Sequence, residues 1–169
     1  VCDQVYYDVY VSSETPFKEF EFDGYTYCYV ASKCKLGIEN VHYSGGVRIT
    51  DKERTTLDSI KDMDKISGIE EVLANIDGFT SLNEEKLTGY LQEYHNQFLY
   101  QKTGFILYPY RDKLGLSHSF FEMCQSKTGK SKRYLTKEFT NGTYIKEWKL
   151  VVPDEIYKLK NGAFQDDRI

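Results

Sequence analysis

The chain has 169 residues, enough for one well-packed core or at most two small ones. Its 26 Asp and Glu against 22 Lys and Arg exclude a global positive field that would argue for nucleic-acid binding, leaving only a local basic patch for that role. No apolar run approaches the roughly 20 residues a membrane-spanning helix needs, and nothing reads as a signal peptide.

The first residues are strand-like. Val5 to Val11 is rich in β-branched and tyrosine residues, and Phe17–Phe22 and Tyr25–Val30 flank Asp23-Gly24, a strong hairpin signal. Val41–Tyr43 and Val47–Ile49 bracket Ser44-Gly45-Gly46, which predicts a second tight turn and completes a small β-meander. The 15 Tyr and 10 Phe suit such sheets, because each ring buries area while a tyrosine hydroxyl stays solvated.

Thr50 and Glu53 have the spacing of a capping box, in which the hydroxyl accepts from the Glu53 N–H and the carboxylate reaches back to the Thr50 N–H. Ser67 and Glu70 repeat the device at the start of a second helix, whose Ile69, Val72, Leu73 and Ile76 share a face. After Asp77-Gly78, Asn83 is expected to cap a longer helix running to about Gln101, with Leu87, Tyr90, Leu91, Tyr94 and Phe98 as its apolar stripe and Gly104 near its end. Phe105–Tyr108 reads as a buried strand or a helix extension, and Ser117 caps another helix to about Gln125. A polar, basic segment then leads to Arg133–Leu135 and to the strand-like Trp148–Val152, which Pro153 stops. Strands, then helices, then a late strand returning to the sheet argue for an α+β fold.

Catalytic patterns are weak. His42, His95 and His118 stand in unrelated elements, and no nucleophile elbow or cysteine signature is present. Cys2, Cys28, Cys34 and Cys124 lack Cys-x-x-Cys spacing, so neither a metal nor another cofactor is expected, and the thiols are expected to be reduced in a cytoplasmic protein. Thr128-Gly129-Lys130-Ser131 ends like a P-loop, but Cys124 replaces the required earlier glycine. Glu147-Trp148-Lys149 on an expected strand matches half of a metal-dependent nuclease site, in which carboxylates hold Mg²⁺ and a lysine steadies developing charge. Asp51, Glu53, Arg54 and Asp58 invite a catalytic reading as well, but capping and pairing along the helix account for most of that group. Lys127, Lys130, Lys132, Arg133 and Lys137 form a basic run without an acid, either a solvated loop or a docking surface for an acidic partner or a phosphate backbone.

Thr50-Asp51-x-Glu53-Arg54-Thr55-x-Leu57-Asp58 followed by Gly68-Ile69-Glu70-Glu71-Val72-Leu73 resembles the signature of the AbiEi-type antitoxin family, also described as predicted transcriptional regulators of viral defence systems. Val9-Tyr10-Val11, Pro16-Phe17, Lys102-x-Gly104-Phe105-Ile106-Leu107, Arg133-Tyr134-Leu135 and Trp148-x-Leu150-x-Val152-Pro153 extend the likeness in order over nearly the whole chain. The resemblance implies the C-terminal antitoxin domain of a bacterial toxin–antitoxin system acting in abortive infection and phage defence. Its partner would be a cognate nucleotidyltransferase-like toxin, countered directly or indirectly, and the domain would contribute to self-association as a homodimer. Operator DNA and autorepression would belong to an N-terminal winged-helix domain. The chain opens on Val1 within strand-like sequence, and the expectation is one antitoxin domain over residues 1–169 with that winged helix lying outside it. No catalytic residue carries over from the family. The expected contact residues are Arg54 and the basic run from Lys127 to Lys137. The readings of other classes are a nuclease-like enzyme and an oligomerisation or effector domain of a transcriptional regulator.

Overall fold

A computed structural model of the protein describes residues 7–32, 34–41, 45–66, 68–137 and 141–159. The fold is α+β, and the chain divides into two compact units, Val1–Lys35 and Leu36–Ile169.

The first unit is a three-stranded sheet of β1 (Asp8–Ser13), β2 (Phe20–Phe22) and β3 (Tyr25–Ala31). Asp23-Gly24 forms the expected hairpin turn, with φ of 51° and 79°; positive φ at both central residues is the type I′ geometry that matches strand twist. The sheet order is β1-β3-β2, with β1 parallel to β3, so the unit is not an up-and-down meander. The Pro16-bearing link from β1 crosses over to β2 instead of turning back as a hairpin. Register places Val9 and Val11 beside Tyr27 and Tyr29, and Phe20 opposite Tyr27, on one face. Phe20 stacks on Tyr27 with ring centres 4.9 Å apart, and Phe17 meets Tyr29 edge-on at 5.4 Å.

The second unit opens with a two-stranded ribbon, β4 (Ile38–Asn40) and β5 (Arg48–Thr50). The strands lie slightly away from the expected Val41–Tyr43 and Val47–Ile49; Gly45 and Gly46 take the positive φ of the turn, and residues 42–44 fall outside the described set. The helices follow: α1 (Lys52–Lys61), α2 (Gly68–Gly78), α3 (Glu84–Tyr94), α4 (Gln97–Leu107), the four-residue α5 (Arg111–Leu114) and α6 (His118–Ser126). Helix α1 packs on α2, α3 and α4, while α4 packs on α6. Every residue of α4 from Leu99 to Leu107 is buried, as befits a helix surrounded on all sides.

The single long helix expected from Asn83 is two helices. Asn83 does cap α3, accepting from the Lys86 N–H at 3.0 Å. His95 then takes a left-handed conformation, φ 47°, and Asn96 caps α4 by accepting from the Phe98 and Leu99 N–H groups. An αL residue followed by a short polar side chain both stops one helix and satisfies the free amides of the next. Phe105–Leu107 extends α4, and Gly104 sits inside that helix instead of ending it. Ser117 caps α6, accepting from the Phe120 N–H at 3.2 Å.

A second three-stranded sheet closes the unit: β6 (Arg133–Tyr134), β7 (Gly142–Ile145) and β8 (Leu150–Pro153), in the order β6-β8-β7. The late strand thus returns to a sheet of its own, where Leu150, Val151 and Val152 are buried. Core side chains such as Leu57, Ile76, Leu91, Ile106, Phe121 and Val152 join helices and this sheet in one cluster. Among the described residues, no helix is long and apolar enough to cross a membrane.

Candidate functional site

The segment from Thr50 to Asp58 is a buried polar knot. Its cap is Asp51, not Thr50: Asp51 Oδ1 accepts from the Arg54 N–H at 2.8 Å. Thr50 is the last residue of β5, and its hydroxyl bonds the Thr55 hydroxyl at 2.7 Å. Glu53 does not reach back either; its Oε1 accepts from the Asn83 N–H at 2.7 Å and so fastens the start of α3 to α1. The expected capping box is therefore not formed: a simple N-cap one residue on replaces it, because the Asp51 carboxylate is a stronger acceptor than the threonine hydroxyl, and Glu53 is left to bond α3. The Ser67–Glu70 box rests on Ser67, outside the described residues; Glu70 stands exposed in the first turn of α2.

Arg54 is 1% exposed, which removes it from any contact surface. Its Nε donates to Asp58 Oδ2 at 2.8 Å, its Nη1 donates to the Leu36 carbonyl at 2.7 Å, and its guanidinium lies 5.3 Å from the Tyr94 ring centre. Tyr94 in turn hydrogen-bonds Asp58. Asp51 Oδ2 takes the Tyr90 hydroxyl at 2.7 Å and the Lys86 ammonium at 2.9 Å. Burial pushes the Asp51 carboxyl up, but the Arg54 N–H, Tyr90 and Lys86 outweigh it and hold the group below its ordinary value. Gly37 lies against this knot; a Cβ there would stand 2.9 Å from both Arg54 Cβ and Tyr90 Cζ. Asp51, Glu53, Arg54 and Asp58 thus act together as a polar fastening between α1, α3 and the start of β4.

The basic run is a different environment. Lys127, Lys130, Lys132, Arg133 and Lys137 are all exposed, and the backbone that carries them is anchored at both ends. At the α6 end, the Lys127 N–H donates to the Met123 and Cys124 carbonyls, and the Thr128 hydroxyl donates to the Gln125 carbonyl. Lys149 Nζ donates to the Gly129 carbonyl at 3.1 Å. Further on, the Arg133 and Leu135 N–H groups donate to the Lys149 and Val151 carbonyls, and the Leu135 side chain is fully buried. The run is therefore an ordered edge strand and its approach, not a loose solvated loop.

Around it, Arg133 stands 5.9 Å from the Phe98 ring centre and Lys132 5.7 Å from that of Tyr134. An open cleft of about 440 Å³ lies beside the run at the α3–α4 corner, lined by His95, Asn96, Gln97, Tyr100, Lys127 and Thr128. Lys102, quoted in the sequence only as part of the Lys102–Leu107 stretch of the resemblance and not as a site residue, lies on α4 with its ammonium 4.8 Å from the Phe98 ring centre. The signal for it is a charge four residues beyond Phe98, in register with an apolar stripe.

Glu147, Trp148 and Lys149 occupy the turn between β7 and β8 and are not on a strand. Glu147 is exposed, and Lys149 is engaged with the basic run. Among the described residues, no group of three or more His, Cys, Asp or Glu side chains converges as a metal site. The buried Cys124 thiol is pushed up to about 12 by burial, with the Glu84 carboxylate adding to the effect, which is the reverse of nucleophile activation. No family model, no curated protein and no solved structure matches the chain.

Proposed function

We propose that this chain is an antitoxin domain of a bacterial toxin–antitoxin system, and that it works by binding a nucleotidyltransferase-like toxin, not by catalysis. The observation that carries the reading is the basic run: five exposed cations without an acid, held on a backbone fixed by α6, β8 and Lys149. Rigid presentation matters, because a preordered charged edge loses little conformational entropy on docking and speeds encounter with an acidic surface. A nucleotidyltransferase gathers carboxylates to hold its metal ion and so offers a surface of the opposite sign. The buried knot supports the same reading from the other side. Residues that look catalytic in the sequence have their charges used up in holding α1 to α3, and the family likeness then reflects a shared way of building the domain.

The test is neutralisation of the toxin encoded beside this gene, read as growth rescue on co-expression. Reversing Lys130, Lys132 and Arg133 together to glutamate should abolish rescue while stability in urea stays within about 0.5 kcal/mol of the parent, as for ordinary surface changes. Unchanged rescue by a folded triple variant overturns the assignment of the basic run.

A further inference from the structure

The cleft at the α3–α4 corner is lined by polar side chains, and among the described residues no carboxylate is one of them. Tyr100 forms part of that lining although it is only 6% exposed, and its hydroxyl hydrogen-bonds no described residue. The tyrosines of α3 differ: Tyr90 donates to Asp51 at 2.7 Å, and Tyr94 bonds Asp58. Asn96 adds a second unused donor. Its Oδ1 accepts from the Phe98 and Leu99 N–H groups at 3.0 and 3.2 Å, which orients the amide and leaves Nδ2 for another acceptor. Lys127, at the C-terminal end of α6, brings an ammonium with no carboxylate partner among the described residues. The Ser126 and Thr128 hydroxyls are already used within the chain, donating to the Met123 and Gln125 carbonyls. Gly129 meets the first turn of α4, where a Cβ would stand 3.0 Å from Gln97 Oε1. A nine-tenths buried hydroxyl, an amide locked by its cap and one ammonium thus line the same cleft, and no carboxylate of the described chain receives their protons.

We propose that this cleft receives a carboxylate side chain from an acidic peptide segment of a partner protein, with Tyr100 Oη, Asn96 Nδ2 and Lys127 Nζ as its donors. A carboxylate carries one negative charge and two accepting oxygens, which matches two neutral donors and one ammonium. A phosphoryl dianion would bring a second charge with no second cation to meet it, since Lys127 is the one lysine or arginine among the described lining residues. A volume of about 440 Å³ exceeds what a lone carboxylate fills and suits a side chain that brings its backbone with it. The chain already pairs tyrosine hydroxyls with carboxylates at Asp51 and Asp58, so the same pairing across an interface needs no new chemistry. The proposal rests on the reading of the basic run as a docking surface, because Lys127 opens that run. It gives the surface a socket with directed donors, which attraction between charges alone does not supply.

The experiment titrates acetylated tetraglutamate amide into the purified chain at constant ionic strength, with tetraglutamine amide and inorganic phosphate as comparison ligands. The Asn96 side-chain amide is followed by NMR and identified by its loss in Asn96→Asp, which keeps a capping oxygen and so the start of α4. Tetraglutamate should shift that signal saturably, and tetraglutamine should not. Tyr100→Phe is the decisive variant, because it removes a hydroxyl that bonds no described residue and leaves the charge of the chain unchanged. It should fold as stably as the parent and bind tetraglutamate about tenfold or more weakly, the loss expected for one hydrogen bond to a charged group. Asn96→Asp should abolish binding by setting a like charge against the ligand. Equal affinity in folded Tyr100→Phe overturns the socket and leaves general attraction to exposed lysines. A destabilised Tyr100→Phe chain has lost a bond inside the protein, which overturns it as well. Phosphate that shifts the Asn96 signal with an affinity equal to or above that of tetraglutamate overturns the carboxylate assignment. Tyr100-dependent peptide binding by a chain that rescues from no toxin keeps the cleft and retires the toxin reading. Rescue by the parent chain without Tyr100-dependent binding does the reverse.

Discussion

Replacing Gly104 by alanine should destabilise the protein, although alanine is the better helix former. A Cβ at Gly104 would stand 2.0 Å from Trp148 Cζ3 and 2.3 Å from Cη2, about 1.4 Å inside the ordinary contact limit of 3.4 Å. The obstacle is the middle of an indole, not the free end of a flexible chain. Trp148 is 5% exposed, and its carbonyl accepts from Gln101 Nε2 at 3.2 Å, one turn back on the same helix as Gly104. The ring can move only if the β7–β8 turn moves with it. Overpacking of this kind costs about 1–3 kcal/mol, while removing a helical glycine returns about 0.5–1 kcal/mol, so the net loss reaches about 2.5 kcal/mol. Gly89 in α3 supplies the control, since nothing lies within 4 Å of its added Cβ; Gly89→Ala should stabilise by about 0.5–1 kcal/mol. Urea unfolding followed by fluorescence of the chain's one tryptophan reads both, because that residue is the one displaced. Gly104→Ala as stabilising as Gly89→Ala would refute the close contact of α4 with the β7–β8 turn.

Two further outcomes follow from the polar knot. Arg54→Ala leaves Asp58 and the Leu36 carbonyl without these donors and should cost about 3–5 kcal/mol; Arg54→Lys should recover only part, because one ammonium cannot serve both acceptors. A urea midpoint unchanged in Arg54→Ala would make Arg54 a surface candidate again. The Asp51 carboxyl is held below its ordinary value of 3.8, so its charged form favours folding; that contribution is fully present above 3.8 and is lost as pH falls through the lower folded value. Asp51→Asn keeps an N-cap acceptor but not the charge, and should flatten the fall in stability as pH drops below 3.8, measured by urea unfolding at each pH. An equally steep acid limb in the variant would show that other carboxyls dominate.

Where residue chemistry acts locally, the fold is legible in the sequence. Asp23-Gly24 needs two positive φ values and obtains them; Asn83 and Ser117 are short acceptors preceding apolar periodicity, and both cap their helices. The break at His95 is hidden, since Leu87 to Phe98 reads as one stripe and the Asn96 cap competes with it. The strand pairing is hidden too, because β1 meets β3 in parallel through a crossover that no turn residue announces.

The candidate site divides along the same line. Five cations without an acid from Lys127 to Lys137 are a property of the sequence alone. Whether they are a floppy tether or an ordered edge depends on Leu135 entering the core and on β6 pairing with β8, contacts made by residues distant in the chain. Arg54 shows the converse: its spacing to Asp58 is plain in the sequence, but only the arrival of Tyr90 and Tyr94 from α3 turns an exposed-looking helix pair into a sealed one. Local hydrogen bonds and charge runs are written in neighbouring residues. Burial is decided by what packs on top, and so the role of Arg54, Tyr100 and Gly104 belongs to the tertiary structure alone.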